Sequence, residues 1–186
     1  MSKNIKIVGL GGSLEKSSAS LAALKISLES AAQAGAETEI FDLSETRLPL
    51  YEDLKPTPEA AVRLAEAVFS AQGMIWCSPL YHGTVSGVFK NALDWLELLS
   101  KREPAYLTDR AIGLICTAGG AQGLQAINTM EFAVRALRGW TVPFTVPIAR
   151  AWNIFDREGR VSDAKVQEQL TILGREVVQA ARKLSA

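Results

Sequence analysis

Apolar runs alternate with amphipathic stretches along the chain, and this pattern predicts five strands interleaved with five helices. The predicted strands cover residues 5–10, 37–42, 73–78, 111–117 and 141–148. The second strand alternates polar and apolar side chains, and the fifth contains two prolines. We therefore expect both of these strands at the edges of the sheet.

The helices are predicted at about 18–34, 57–71, 86–100, 124–137 and 163–184. Ser18 or Ser17 is expected to cap the first helix and Ser162 the last. Pro58 suits the first turn of the second helix. Residues 43–58 are expected to form mainly a long irregular loop before that helix.

Short connections and right-handed crossovers turn this alternation into a three-layer α/β sandwich around a five-stranded parallel sheet. The flavodoxin-like strand order 2-1-3-4-5 is the common order that needs only five strands. It places the first, third and fourth strands at the centre, so that the loops after them meet at one site. With 186 residues and no repeat or linker, residues 1–186 are expected to form a single domain.

Composition excludes several classes of function. The formal net charge is zero, with 20 basic and 20 acidic residues, so electrostatics do not favour nucleic acid or an anionic membrane as a partner. No apolar run reaches the roughly 18 residues of a membrane span, and the N-terminus lacks the form of a signal peptide.

Cys77 and Cys116 lie in apolar runs and are expected to be buried thiols of a cytoplasmic protein. With His82 as the single histidine, we expect no protein metal site.

Three loops rich in glycine and small hydroxyl residues follow the central strands. The first, residues 9–20, carries four serines close to the start of a helix: Ser13, Ser17, Ser18 and Ser20. Such a helix end binds phosphate through its free amides and dipole, although the spacing matches neither a Walker loop nor a complete dinucleotide fingerprint. The alternative is an ordinary turn with a serine cap.

The second and third loops suit a planar ring. In residues 78–83, Pro79 and Gly83 shape the backbone while Tyr81 and His82 can flank a flat heterocycle; His82 has no partner that would make it a general base. A lone histidine in a loop can equally be a solvated side chain. Residues 117–123 allow close backbone approach, and their amides can bind a ring carbonyl or a developing anion, or form a plain turn. Together the loops predict one ligand with a phosphate at one end and a ring at the other.

These residues also match a known family. The chain resembles the NADPH-dependent FMN reductases, which have a flavodoxin-like fold and include quinone, chromate and azo-dye reductases. The shared motifs are Gly12-Ser13-Leu14 with Ser18, Leu48-Pro49-Leu50-Tyr51, residues 78–83 with residues 87–95, and residues 117–123. The second-loop motif and the helix after it are the most specific part of the match.

The resemblance implies that the protein binds FMN and uses NADPH or NADH as co-substrate. It implies that three serines hold the FMN phosphate: Ser13, Ser18 and Ser20. It implies that the ring and ribityl chain contact a second group: Pro79, Leu80, Tyr81, His82 and Gly83. The other edge of the ring would contact Thr117, Ala118, Gly119 and Gly120. A homodimer or homotetramer, built partly by the helix at 86–100, is also implied.

The implied activity is hydride transfer from NAD(P)H to N5 of FMN and on to a quinone, free flavin, azo dye or metal oxyanion, in a ping-pong cycle without a catalytic side chain. One alternative is a flavodoxin-like electron carrier without NAD(P)H turnover, but such carriers are typically strongly acidic. Another is a phosphate-responsive binding module with no redox role.

Three positions depart from the family pattern. The family often has arginine where this chain has Glu15, glutamate where it has Leu80, and asparagine where it has Ser20. A carboxylate beside a phosphate repels it, so we expect Glu15 to point away or to be offset by Lys16. No basic cluster stands out for the 2′-phosphate of NADPH, which leaves the choice between NADH and NADPH open.

Overall fold

The computed structural model describes residues 4–11, 13–15, 18–52 and 56–186. The strands are β1 Ile5–Gly11, β2 Ala36–Asp42, β3 Gly73–Tyr81, β4 Thr84–Val85, β5 Ala111–Ala118 and β6 Trp140–Ala149. The α-helices are α1 Ala19–Gln33, α2 Leu43–Thr46, α3 Glu59–Ser70, α4 Gly87–Asp94, α5 Gly123–Ala136 and α6 Ala164–Leu184. Short 3₁₀ helices cover Trp95–Leu99 and Ala151–Asn153.

The main sheet has the order β2-β1-β3-β5-β6, and all its neighbouring strands are parallel. The five long strands therefore have the predicted flavodoxin-like order, with the second and fifth of them at the edges. The prediction of five strands missed β4, which has two residues and pairs antiparallel with the end of β3. It folds back because a tight turn follows Tyr81.

Two apolar layers cover the sheet. On β3, Met74 and Trp76 belong to the layer that packs against α3, α4 and α5, while Ile75 and Cys77 belong to the layer against α1 and α6. Burying each large apolar side chain contributes about 1.5–3 kcal/mol. The three central strands, β1, β3 and β5, are buried on both faces over most of their length, as expected of parallel strands between helical layers. The loops at their carboxyl ends are therefore held on a rigid base.

Several helix boundaries differ from the sequence prediction. Residues 43–46 form the short helix α2, because the Asp42 carboxylate caps it by accepting a 2.9 Å hydrogen bond from the Ser44 amide. The predicted helix at 86–100 is α-helical only to Asp94 and continues as a 3₁₀ helix. Pro58 is the residue before α3 rather than part of its first turn.

The predicted cap of the last helix was wrong by one residue. Asp163 caps α6 by accepting hydrogen bonds from the amides of Lys165 and Val166. The hydroxyl of Ser162 instead donates to backbone carbonyls in the preceding loop, with a 3.1 Å bond to that of Ile154. Within the described ranges, none of the helices combines the length and the apolar character needed to cross a bilayer.

Candidate cofactor-binding site

A cleft of about 470 Å³ opens at the carboxyl ends of β1, β3 and β5, where the strand order predicts a binding site. Nine of the twelve predicted site residues line it: Ser13, Ser18, Ser20, Pro79, Leu80, Tyr81, Thr117, Ala118 and Gly119. His82, Gly83 and Gly120 are not among the residues that line this cleft. Their contact with a ligand stays a prediction.

The serines of the first loop are arranged around the start of α1. Ser18 caps the helix, and its hydroxyl oxygen accepts a 3.2 Å hydrogen bond from the Leu21 amide. The buried Ser13 hydroxyl accepts a 3.1 Å hydrogen bond from the Glu15 amide. Since each hydroxyl still has a proton to donate, both serines can bind an anion at the positive end of the helix. Gly12 and Ser17 lie outside the described residues.

Ser20 connects the first loop to the third. Its hydroxyl lies 2.5 Å from that of Thr117, and both residues are almost fully buried at 2% and 5% exposure. This hydrogen bond joins α1 to the end of β5 at the floor of the cleft. Ser20 therefore helps to hold two walls of the site in register.

The second loop is a hairpin rather than an open loop. Strand β3 continues through Pro79 to Tyr81, and the turn residues His82 and Gly83 have φ of 48° and 86°. Two successive positive φ values are typical of the type I′ turn, which is favoured in β-hairpins with a two-residue loop. The buried Ser78 hydroxyl stabilises the base of the hairpin by accepting a 3.0 Å hydrogen bond from the amide of Ser86, the residue that caps α4. Tyr81 lines the cleft with about half of its side chain exposed, at 52%.

The third loop leaves the cleft open. A Cβ atom placed on Gly119 would meet nothing within 4 Å, whereas Ala118 is buried at 4% exposure. A flat ligand can therefore approach the backbone at residue 119. Gly120 is more crowded, because a Cβ there would lie 2.5 Å from the side-chain oxygen of Gln122.

A fourth wall was missed by the sequence prediction. This wall is formed by the segment after β6, and five residues of that segment line the cleft: Ala151, Trp152, Phe155, Asp156 and Arg157. A sequence signal was present, because Trp152 is a large aromatic in a polar loop, and it is 71% exposed in the structure. The segment lacks the glycine and serine pattern that marks the other three loops as candidate binding loops.

The Leu48–Tyr51 motif is held in place by the motif that follows the second loop. The Pro49 carbonyl accepts hydrogen bonds from the side chains of Asn91 (2.8 Å) and Trp95 (2.9 Å), and the Tyr51 amide donates to Asn91 at 2.8 Å. The rings of Tyr51 and Trp95 meet edge to face at 5.2 Å. The two motifs therefore form one structural unit beside α4, in which Leu50 stays 82% exposed.

Two buried thiols lie on the central strands that lead into the site. Burial raises the pKa of Cys77 well above its ordinary value, and the nearby Cys116 raises this pKa further. A hydrogen bond with the Ser20 side chain lowers it in part. Burial raises the pKa of Cys116 to about 12. Both thiols are therefore neutral near pH 7. No cluster of His, Cys, Asp and Glu suited to a metal ion occurs in the described part of the chain.

The chemistry of the cleft fits a flavin mononucleotide. Hydroxyls and helix amides at the Ser18 end suit its phosphate. The Pro79–Tyr81 segment and Trp152 give the other walls an apolar and aromatic character, and Gly119 leaves room beside them for a planar ring. Glu15 also lines the cleft, whereas Lys16, the residue expected to offset it, lies outside the described residues.

Comparison with known proteins agrees with this geometry. The sequence pattern of the family described as NADPH-dependent FMN reductase matches residues 5–153. The chain is 34% identical over 146 residues to an NADPH-dependent FMN reductase of Acidithiobacillus ferrooxidans, a match that covers 78% of this chain but 60% of that protein. It is 31% identical over 175 residues to an NAD(P)H-dependent FMN reductase of Pseudomonas aeruginosa, with 90% of each chain covered.

A solved structure shows the same fold. The flavoenzyme NAD(P)H:(acceptor) oxidoreductase FerB of Paracoccus denitrificans superimposes with a TM-score of 0.75 and 22% identity, over 96% of this chain and 98% of that one. The sequence match to the reductase from Acidithiobacillus ferrooxidans, by contrast, leaves two fifths of that longer protein without a counterpart in the alignment.

Proposed function

The chain belongs to the NADPH-dependent FMN reductase family, and from that premise we propose that it is a single-domain, FMN-dependent NAD(P)H oxidoreductase. The observation that carries the proposal is the convergence of three loops on one cleft. These loops come from different parts of the chain, and each supplies a different part of a flavin site. An ordinary set of strand–helix turns would not require serines, an exposed tyrosine and an open glycine at the same place.

We assign the phosphate of FMN to the Ser18 end of the cleft, with Ser13 and Ser20 beside it. The ring lies against Pro79, Leu80 and Tyr81 on one side and the backbone of residues 117–120 on the other, with His82 and Gly83 at the rim. When bound, FMN supplies the redox chemistry, accepting a hydride from a nicotinamide and passing electrons to an acceptor. The backbone amides around Gly119 favour negative charge on the ring without any titrating side chain.

The open space beside Gly119 and Tyr81 is where the nicotinamide of NADPH or NADH binds. The acceptor uses the same space after the oxidised nucleotide leaves, which predicts ping-pong kinetics. A wide and partly apolar opening suits several acceptors, among them quinones, free flavin, azo dyes and metal oxyanions. We place this activity in the cytoplasm, where reduced nicotinamides are available and buried thiols stay reduced.

A homodimer or homotetramer is part of the proposal. Leu50 and Tyr51, 82% and 40% exposed, present apolar surface beside α4, and paired apolar surfaces of this kind are typical of symmetric oligomers.

Steady-state oxidation of NADH and NADPH by the FMN-loaded protein tests the activity, with a quinone, an azo dye and free FMN each offered as acceptor. Turnover with at least one donor, and parallel lines in double-reciprocal plots, are expected. An electron carrier would bind FMN tightly but oxidise neither nucleotide, and a phosphate-responsive module would bind no flavin at all. Either of these results would replace the reductase proposal.

A further inference from the structure

The charges that line the cleft differ from those that a phosphate needs. FMN carries a phosphate of about −1.5 to −2 charge at pH 7, yet the first loop places a carboxylate, Glu15, along the cleft. Among the described residues that line the cleft, the single cation is Arg157, and the other charged residues are the carboxylates Glu15 and Asp156. Among the described residues, a positive charge for the phosphate is therefore available from the segment after β6, through Arg157.

Arg157 lies at the phosphate end of the cleft. A second cavity of about 580 Å³ runs between α1 and residues 157–161, and it shares two lining residues with the cleft, Ser18 and Arg157. Ser18 is the cap of α1, whose amides form the anion-binding end. Arg157 and the helix cap therefore lie together at the junction of the two cavities.

The charge of Arg157 is left free by its neighbours. Arg160 pairs with both adjacent carboxylates, donating to Asp156 at 2.6 Å and to Glu158 at 3.2 Å. Arg157 has no ion pair with any residue in the described ranges. Since Arg160 neutralises the acidic residues on either side of Arg157, the guanidinium of Arg157 can bind an external anion.

The turn that carries Arg157 is held by internal hydrogen bonds and packs against α1. The Asp156 carboxylate accepts hydrogen bonds from the backbone amides of Glu158 (3.0 Å) and Arg160 (2.9 Å). Gly159 has a φ of 79°, and a Cβ there would lie 3.3 Å from the Cβ of Ala22 on α1. Buried Phe155 anchors the start of the turn in the core. Arg157 is therefore presented by a preorganised turn, which lowers the entropic cost of binding.

From these contacts we propose that Arg157 binds the phosphate of FMN. Its positive charge would offset the repulsion between the phosphate and the Glu15 carboxylate. This inference rests on the proposed function and adds a phosphate ligand from a fourth segment of the chain. A guanidinium suits the role because it can donate two parallel hydrogen bonds to phosphate oxygens. Arg160 acts indirectly, by holding the turn and neutralising its carboxylates.

Binding of FMN and of riboflavin, which lacks the phosphate, tests the proposal without any measurement of turnover. Flavin fluorescence titration of the apoprotein gives both dissociation constants for the wild type, Arg157→Ala and Arg157→Lys. We expect Arg157→Ala to weaken FMN binding about tenfold or more, the loss of one charge-assisted contact, and to change riboflavin binding less than about twofold. Arg157→Lys should recover part of the loss, because lysine keeps the charge but not the bidentate geometry.

The matched control removes an exposed arginine elsewhere. Arg63→Ala, on α3, changes the net charge by the same amount and should leave FMN binding unchanged, which separates a local contact from a general charge effect. Lys16→Ala is measured in parallel, since Lys16 is the other basic residue near Glu15 in sequence. A larger loss in Lys16→Ala with none in Arg157→Ala would overturn the proposal.

The remaining outcomes separate this inference from the proposed function. If the wild type binds neither flavin, the proposed function fails. If the wild type binds FMN and Arg157→Ala binds it equally well, the inference alone fails. An unchanged FMN constant together with a raised KM for NADPH but not for NADH would assign Arg157 to the 2′-phosphate of the donor, and would likewise contradict the proposal.

Discussion

The hydroxyl of Ser20, in the first turn of α1, lies 2.5 Å from the hydroxyl of Thr117, near the end of β5. The two residues are 97 positions apart in the sequence, and their hydrogen bond joins two of the loops that form the candidate flavin site. Both side chains are buried, so neither hydroxyl can exchange its partner for bulk water.

Removing one member of this pair is expected to destabilise the fold by about 1–3 kcal/mol, because the other hydroxyl is left buried without its partner. Ser20→Ala and Thr117→Val are the single changes. The double variant should lose less than the sum of the two, since removing both partners leaves no unpaired group. Urea unfolding of the wild-type apoprotein and the three variants measures the four free energies of unfolding, and strict additivity of the losses would show that the hydroxyls do not interact.

Ser18 has two roles that one substitution can separate. Glycine at a helix cap costs only a few tenths of a kcal/mol relative to serine, so Ser18→Gly should leave the stability of α1 almost unchanged. It removes the hydroxyl that faces the phosphate end of the cleft, and FMN binding should weaken about three- to tenfold, within the range of one lost hydrogen bond. Isothermal titration with FMN, alongside thermal unfolding, checks both values. Unchanged FMN affinity would limit Ser18 to its structural role.

The two cysteines should not react in the folded protein. Burial raises the pKa of Cys116 to about 12 and that of Cys77 well above its ordinary value, so that at pH 8 both are protonated and unreactive. A disulfide reagent such as DTNB should label neither thiol in native protein and both after unfolding. Rapid labelling of the native protein at pH 8 would show that a thiol is accessible and ionised.

Acidification should loosen the turn that carries Arg157. The hydrogen bond from the Arg160 side chain, followed by that from its backbone amide, lowers the pKa of the Asp156 carboxyl from its ordinary value of 3.8. A carboxyl whose pKa is lowered by folding stabilises the folded state at every pH above its unfolded-state pKa. This contribution is lost as the pH falls through the folded-state pKa. The turn is therefore intact at neutral pH and weakens only below about pH 4.

An NMR titration of the Asp156 carboxyl carbon measures this effect directly. The midpoint should lie below 3.8 in the wild type and move upward in Arg160→Ala. The shift should be incomplete, because the backbone amides of Glu158 and residue 160 still donate to the carboxylate. An identical midpoint in the two proteins would mean that the Arg160 side chain does not stabilise the charged form.

The sheet order and the three central loops could be predicted from the sequence, because apolar runs mark buried strands and parallel strands end on the same side. The hairpin after β3 was missed, since Pro79 lacks an amide donor and suggests the end of a strand. In the structure Pro79 nonetheless remains part of β3, where it pairs with Thr117 of β5. His82 then adopts a positive φ, which is uncommon for residues other than glycine, although histidine adopts it more often than most side chains do.

The rest of the site depends on contacts that local sequence does not encode. The wall from Ala151 to Arg157 has no motif of its own and reaches the cleft only because β6 pairs with β5. The Ser20–Thr117 hydrogen bond likewise exists only in the folded chain. Both features are tertiary, and both determine which polar groups face the ligand.

Anaerobic mixing of the FMN-loaded protein with one equivalent of NADPH, and separately of NADH, tests whether the protein is an FMN-dependent NAD(P)H oxidoreductase. We expect stoichiometric FMN binding, bleaching of the flavin absorption band by at least one nucleotide, and return of the band when an acceptor such as a quinone is added. A protein that binds no FMN, or whose bound FMN keeps its absorption with both nucleotides, would contradict this proposal.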